Sequence, residues 1–244
     1  MRGLTTAELL DIWERGLCQE PAARALSLLA AAYPEMSPRH LAALSIGQRD
    51  ARLVALREAL FGSDVEALVP CPQCGERLEL NFSTADLLAT PELEPETEVT
   101  LSVAGYHLRL RTPNSQDLLE AGNQSDLAQS RRQILRRCLL SVNRGDAPAE
   151  LANLSAEIGE AVAQKLAEID PLANIQMNIS CSVCKHAWQA VFDIVSFFWT
   201  ELEAWAGRML QEVHALASAY GWSEQEILAL SPMRRQVYLE MLGA

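Results

Sequence analysis

Nowhere does this 244-residue chain offer an apolar run approaching the ~20 residues that span a bilayer. Its densest stretch, Ile194 to Trp199, is broken by Ser196. The N-terminus, Met1-Arg-Gly-Leu-Thr-Thr-Ala-Glu8, lacks the apolar core of a secretory signal. Both absences predict a cytoplasmic protein. Positive charge is also in short supply: 20 Lys and Arg stand against 32 Asp and Glu, a formal net charge of −12. Nucleic-acid binders carry a basic footprint, and a field of the opposite sign repels a polyanion at long range. Nucleic acid is therefore not the expected partner.

Catalytic signatures are missing as well. There is no phosphate-binding Gly-x-x-x-x-Gly-Lys, no Gly-x-Ser-x-Gly elbow and no dinucleotide fingerprint. His40, His107 and His214 stand alone, with no His-Glu-x-x-His. Carboxylates are plentiful, but no spacing pairs two of them across a cleft. The sequence therefore names no catalytic and no organic cofactor-binding residue, and predicts a non-enzymatic protein. Arg144-Gly-Asp146, a tripeptide found in adhesion ligands, reads in such a chain as a turn.

What the chain does have is ordinary soluble composition, 49% hydrophobic and 21% charged, at a length that can bury a sizeable core. It also has two Cys-x-x-Cys pairs, Cys71-Pro-Gln-Cys74 and Cys181-Ser-Val-Cys184. The segments they open match one another, C-P-Q-C-G-E-R-L-E-L-N-F against C-S-V-C-K-H-A-W-Q-A-V-F. Each carries a large apolar residue four positions after its second Cys (Leu78, Trp188) and a Phe eight after it (Phe82, Phe192).

Period-2 residues follow both pairs. A redox Cys-x-x-Cys caps a helix instead, since the helix N-terminus lowers the pKa of the nucleophile. The pattern therefore predicts two zinc knuckles, each opening a hairpin, with Cys71, Cys74, Cys181 and Cys184 sharing one structural Zn²⁺. Two separate redox pairs and unoccupied thiols are the alternatives. Four thiolates leave no open coordination position, so such a site serves architecture, and Cys74→Ser should compromise folding. His186, two residues after Cys184, reads as a neighbour of the metal or a surface residue rather than a ligand. Cys18 and Cys138 lie singly in helical patterns and read as small buried apolar residues.

Along the chain, helices are predicted from Thr5 or Thr6, from Pro21, from Pro38 behind a Ser37 cap, and from Ile46 to Gly62. In the first of these, Leu9, Leu10, Ile12, Trp13 and Leu17 form the apolar side. Leu78, Leu80 and Phe82 alternate as a strand, and Ser83 caps a short turn of helix. Pro91 to Glu98 holds four Glu and two Pro and reads as a linker. Val99 to Leu110 is a hairpin turning at Ala104-Gly105. Pro113 to Asp117 caps helical material running to about Val142, and Ser155 starts a helix that Asp170-Pro171 closes.

Ile175, Met177 and Ile179 form the strand that delivers the second cysteine pair. Past Ser196 the period becomes helical, with Phe198, Leu202, Trp205, Met209, Val213, Leu216 and Tyr220 on one face as far as Gly221. Ser223 and Ser231 cap two shorter helices. Arg131, Arg132, Arg136 and Arg137 gather on one side of a helix and read as a solvated face.

The fold class is thus α+β and helix-rich, a split four-cysteine zinc ribbon with helices at both ends. Residues 1–68 form a helical segment. Residues 69–195 form the ribbon core, with the hairpin and helices of 99–170 inserted, and 196–244 are C-terminal helices.

Two blocks resemble a known family. One runs from Leu44 to Phe61 and on into Cys71-Pro-Gln-Cys-Gly-Glu76. The other runs from Trp205 through His214, Tyr220-Gly-Trp-Ser-Glu224 and Leu230-Ser-Pro-Met-Arg-Arg235 to Tyr238-Leu-Glu-Met241. Both are similar to T4-type phage baseplate proteins, a family that includes baseplate hub assembly factors and occurs also in contractile injection systems. The resemblance implies a role in building the hub by protein–protein binding, with hub or spike proteins as partners and possible residence in the tail-like particle. Any of Trp222 and Tyr238 left exposed would be natural anchors for a partner. A zinc-ribbon protein associated with nucleic acid is the alternative function, and the arginine cluster is its one candidate contact.

Overall fold

The structure is a computed structural model that describes residues 1–88, 98–122, 126–145, 147–149 and 155–243. Helix α1 (Thr6–Gly16) starts where expected. The Thr5 hydroxyl accepts from the Glu8 N–H, and the Glu8 carboxylate accepts the Thr5 N–H in return. The Arg2 guanidinium on the same carboxylate holds Glu8 well down, to about 2. Helices α2 (Pro21–Ala32) and α3 (Pro38–Ala43) follow, each with Pro in its first turn, and then α4 (Ile46–Phe61) behind a Ser45–Gln48 box.

Across the whole sequence from these lies the long helix α9 (Ile194–Tyr220). Asp193 caps it by accepting the N–H groups of Val195 and Ser196. The five helices bury one core in which Ala25, Leu28, Leu29, Leu53, Val54, Phe198 and Leu202 are essentially inaccessible to water. Packing is close enough that a Cβ on Gly16 would come within 2.1 Å of the Trp199 ring.

A second unit is inserted between the two parts of this helical body. Strands β3 (Glu98–Val103), β4 (Tyr106–Arg111), β5 (Leu139–Arg144) and β6 (Ala147–Pro148) form an antiparallel sheet in sequence order. They follow β1 (Asp64–Pro70), β2 (Arg77–Ser83) and the short helix α5 (Thr84–Leu87). At the β3–β4 turn Ala104 and Gly105 both take positive φ, 51° and 77°, the conformation that a two-residue hairpin turn requires. Helices α6 (Ser115–Ala121), α7 (Leu127–Cys138) and α8 (Ala156–Ile169) complete the unit. Its own core joins Leu108 and Leu110 to Leu135, Cys138, Ile158, Val162 and Leu166.

Asp117, with no exposed surface, accepts from Arg111, from Arg137 and from the Asn114 N–H. Its buried site alone would favour the neutral acid, but the two guanidiniums outweigh desolvation and hold its pKa below the usual carboxylate range. At the junction with the helical body, Asp170 accepts the Gly47 N–H at 3.0 Å, and the Ile46 N–H reaches the Pro113 carbonyl at 3.1 Å. A Cβ on Gly47 would sit 1.9 Å from the Asp170 carboxylate, so this contact requires glycine.

At the C-terminal end Gly221, at φ +70°, stops α9, and α10 (Glu224–Leu228) and α11 (Pro232–Gly243) fold back on it. The Tyr220, Trp222 and Tyr238 rings pack on one another, with centroids 4.7 to 5.7 Å apart. Trp222 and Tyr238 are half-buried in this cluster rather than standing free.

The helix-rich α+β reading holds, with three local departures. The helix expected to reach Val142 stops at Cys138, because residues 139–144 pair with β4 (Leu108 opposite Val142, Leu110 opposite Leu139). Cys18 is exposed, not buried, since α1 ends at Gly16 and leaves it in the following turn; Leu17 is exposed with it. Cys138 is fully buried, and desolvation pushes its thiol up to about 12. Strand β1 had no counterpart in the sequence reading. Of the expected linker only Glu98 belongs to the described residues, and Asp146 of the Arg-Gly-Asp turn lies outside them.

Candidate metal centre

Two hairpins carry the cysteines. In the first, β1 and β2 pair from Asp64 opposite Ser83 to Pro70 opposite Arg77, and residues 71–76 close the turn. In the second, β7 (Gln176–Ser180) and β8 (Ala187–Val191) pair up to Ser180 opposite Ala187, and residues 181–186 close the turn. Each cysteine pair thus forms the tip of a hairpin with a strand on either side.

The tips share the same backbone-to-backbone hydrogen bonds. Cys71 donates its N–H to the Glu76 carbonyl and Cys181 to the His186 carbonyl, both at 2.8 Å. The Gly75 N–H reaches the Cys71 carbonyl at 2.9 Å, and the Lys185 N–H reaches that of Cys181 at 3.0 Å. Closing this loop needs a left-handed residue, and φ is +74° at Gly75 and +61° at Lys185. Glycine adopts it freely, whereas a side chain there costs roughly 1–2 kcal/mol. The internal match seen in the sequence is therefore a match of backbone geometry. Its two phenylalanines also meet, with Phe82 edge-on to Phe192 at 5.5 Å.

The same arrangement brings the four sulfurs together, all within 4.8 Å of one another. Cys71 lies 3.6 Å from Cys184, and Cys74 lies 3.7 Å from Cys181. A disulfide would need about 2.05 Å. A tetrahedron of sulfurs about 2.3 Å from a central ion has edges of roughly 3.8 Å, close to what is found. Cys71 and Cys181 are 2% and 1% exposed, Cys184 is half-buried, and Cys74 faces solvent.

Without a cation Cys181 and Cys74 do not ionise alike. The Cys184 N–H points at the Cys181 sulfur and outweighs desolvation, lowering that thiol to about 7. At Cys74 the Glu76 N–H favours the thiolate, but desolvation and the three neighbouring thiols push the group up to about 12. A divalent ion at the centre would remove that conflict.

His186 lies outside the group of four, its ring stacked 5.7 Å from that of Trp188. Among the described residues no other cluster of His, Cys, Asp or Glu has metal-binding geometry. Of the α7 arginines, Arg131, Arg132 and Arg136 are exposed and Arg137 is half-buried; Arg137 pairs with Asp117 and Glu120, and Arg131 pairs with Glu160. No helix among the described residues is long and apolar enough to cross a membrane.

What sequence reasoning missed is the first arm of the site. In Val65-Glu-Ala-Leu-Val69 an exposed Leu68 falls on the polar side, so the period-2 signal is broken. The register of β2 supplies what the pattern lacks.

No curated protein and no solved structure matches this chain. A family model described as that of the T4 bacteriophage base plate protein matches residues 22–199. The matched residues take in both cysteine hairpins, the inserted unit and the Leu44–Phe61 block, and stop short of the block that begins at Trp205. The match covers well over half of the sequence, and the chain belongs to the T4-type baseplate protein family.

Proposed function

We propose that the protein is a non-enzymatic assembly factor or minor component of the baseplate hub in a contractile tail or contractile injection system. It works by binding hub or spike proteins, and one structural Zn²⁺ on Cys71, Cys74, Cys181 and Cys184 holds it in shape. Membership in the baseplate family carries the first part and implies association with other baseplate proteins. The four-sulfur cluster carries the second. An all-thiolate set favours zinc over hard cations such as magnesium or calcium, which take oxygen ligands. A closed Cys₄ site leaves no place for substrate, so the metal serves as a clasp between hairpins in a split zinc ribbon.

The test is co-purification from cells that express the whole tail gene cluster. Recovery of hub or spike proteins on the tagged chain supports the reading, and recovery of none of them overturns it. Presence in finished particles marks a component, and absence marks an assembly factor. Metal analysis of the purified protein should give one zinc per chain.

A further inference from the structure

The four sulfurs are alike in chemistry but not in access. Cys71 and Cys181 are sealed at 2% and 1% exposure and Cys184 is half-buried, whereas Cys74 is the one exposed residue of the four. Across the gap between hairpins Cys74 faces Cys181 at 3.7 Å, and Cys71 faces Cys184 at 3.6 Å. Each facing pair joins one hairpin to the other. At the opposite end of the hairpins the Phe82–Phe192 contact keeps the two from sliding apart.

We propose that Cys74 is the reactive entrance to this centre, and that hydrogen peroxide converts Cys74 and Cys181 into a cross-hairpin disulfide while the metal leaves. The proposal rests on the zinc reading above. With the ion bound, Cys74 would be held as a thiolate, and in the first step its sulfur attacks the peroxide: an S–O bond forms, the O–O bond breaks and one hydroxide departs. In the second the Cys181 thiolate attacks the Cys74 sulfur: the S–S bond forms, the S–O bond breaks and a second hydroxide departs. The two sulfurs give up two electrons, and these reduce the peroxide. Cys71 and Cys184 are then the only thiolates left to the ion, too few to retain it.

The closing of the sulfur gap from 3.7 Å to about 2.05 Å is small for hairpin tips already held side by side. The clasp therefore changes from metal to covalent bond and the hairpins stay joined. Oxidation would expel zinc without releasing the scaffold.

The experiment uses full-length, zinc-loaded protein carrying Cys18→Ser, because Cys18 is exposed and would react on its own. Hydrogen peroxide is added below one equivalent, released zinc is read with a chromogenic chelator, and disulfides are mapped by peptide mass. The expected result is a Cys74–Cys181 linked peptide as the first product, with one zinc released per bridge. A first bridge inside one turn (Cys71–Cys74 or Cys181–Cys184), a first bridge between Cys71 and Cys184, or zinc release with no bridge would each overturn it. If the protein carries no zinc and takes none up, the zinc reading fails by itself. Mapping the metal-free protein then still decides whether Cys74 and Cys181 pair first.

Discussion

Phe198, at the centre of the helical body, has no exposed surface, whereas Leu68 and Val191 on the cysteine-tipped hairpins stand 62% and 65% exposed. The contrast extends to the neighbours. Around Phe198 five helices close over a continuous apolar core, with Phe61 edge-on at 6.0 Å. Each hairpin has only two strands, and little of it beyond Val65, Ile179 and the cysteines Cys71 and Cys181 is fully buried. A lone two-stranded hairpin is marginal in water. The body is held by burial of apolar surface, and the hairpins by what links them. If the proposed zinc is that link, its loss should cost the hairpins far more than the body.

The strongest test of that contrast is Cys181→Ser. Structural zinc contributes on the order of 10–16 kcal/mol in small finger peptides, and a three-thiolate remnant loses most of it. Metal content by mass spectrometry should fall to near zero. Amide exchange should then accelerate in residues 64–83 and 176–191, while α2, α4 and α9 stay protected. Loss of protection in those helices as well would erase the distinction, and would favour the global dependence expected from sequence for Cys74→Ser.

Phe198→Ala probes the other side. A truncation at a fully buried aromatic costs about 3–5 kcal/mol, so the urea midpoint should drop sharply while the zinc content stays at the wild-type value.

A smaller effect concerns acid and base. Asp50 is almost fully buried, and desolvation raises its pKa to about 6 against the opposing pull of Arg49, with Asp193 and Asp170 adding to the rise. Between the ordinary carboxylate value and about 6 the folded protein keeps a proton that the unfolded chain has released. Stability is thus greatest below that window and falls as pH rises through it. Asp170, raised for the same first reason, adds a slope of the same sign. Asp50→Asn should flatten the profile by on the order of 2 kcal/mol between pH 4 and 7, read from urea midpoints at each pH. A slope unchanged in the variant would remove Asp50 as its source.

The smallest expected effect lies in the second cysteine turn. Lys185→Gly gives it the residue that Gly75 provides in the first, relieving a left-handed side chain worth about 1 kcal/mol. Zinc affinity, measured by competition with a chelator, should rise or hold; a fall would show that the Lys185 side chain supports the turn.

Much of the helical framework was legible because its signals are local. Thr5 with Glu8 and Ser223 with Glu226 each form the reciprocal cap that their spacing announces. Gly62 and Gly221 end their helices at positive φ. Legibility ended where a distant partner decides the outcome. Leu139 to Arg144 continues the composition of α7, yet it becomes a strand because β4 offers a free edge beside it. The isolated Cys18 and Cys138 look alike in sequence, and their opposite burial depends only on where α1 and α7 stop and on what covers them.

By itself, then, the sequence determined the chemistry and its internal symmetry. Two matched Cys-x-x-Cys segments carry soft ligands on strand-forming stretches, because thiolates and period-2 residues are properties of the chain. It could not determine that the two sets would meet. Bringing Cys71 and Cys74 to Cys181 and Cys184 requires α4 and α9 to pack together, Asp170 to anchor the inserted unit on Gly47, and Phe82 to find Phe192. Those contacts join residues far apart along the chain. Their free energy comes from burial and pairing that exist only once the whole chain has folded.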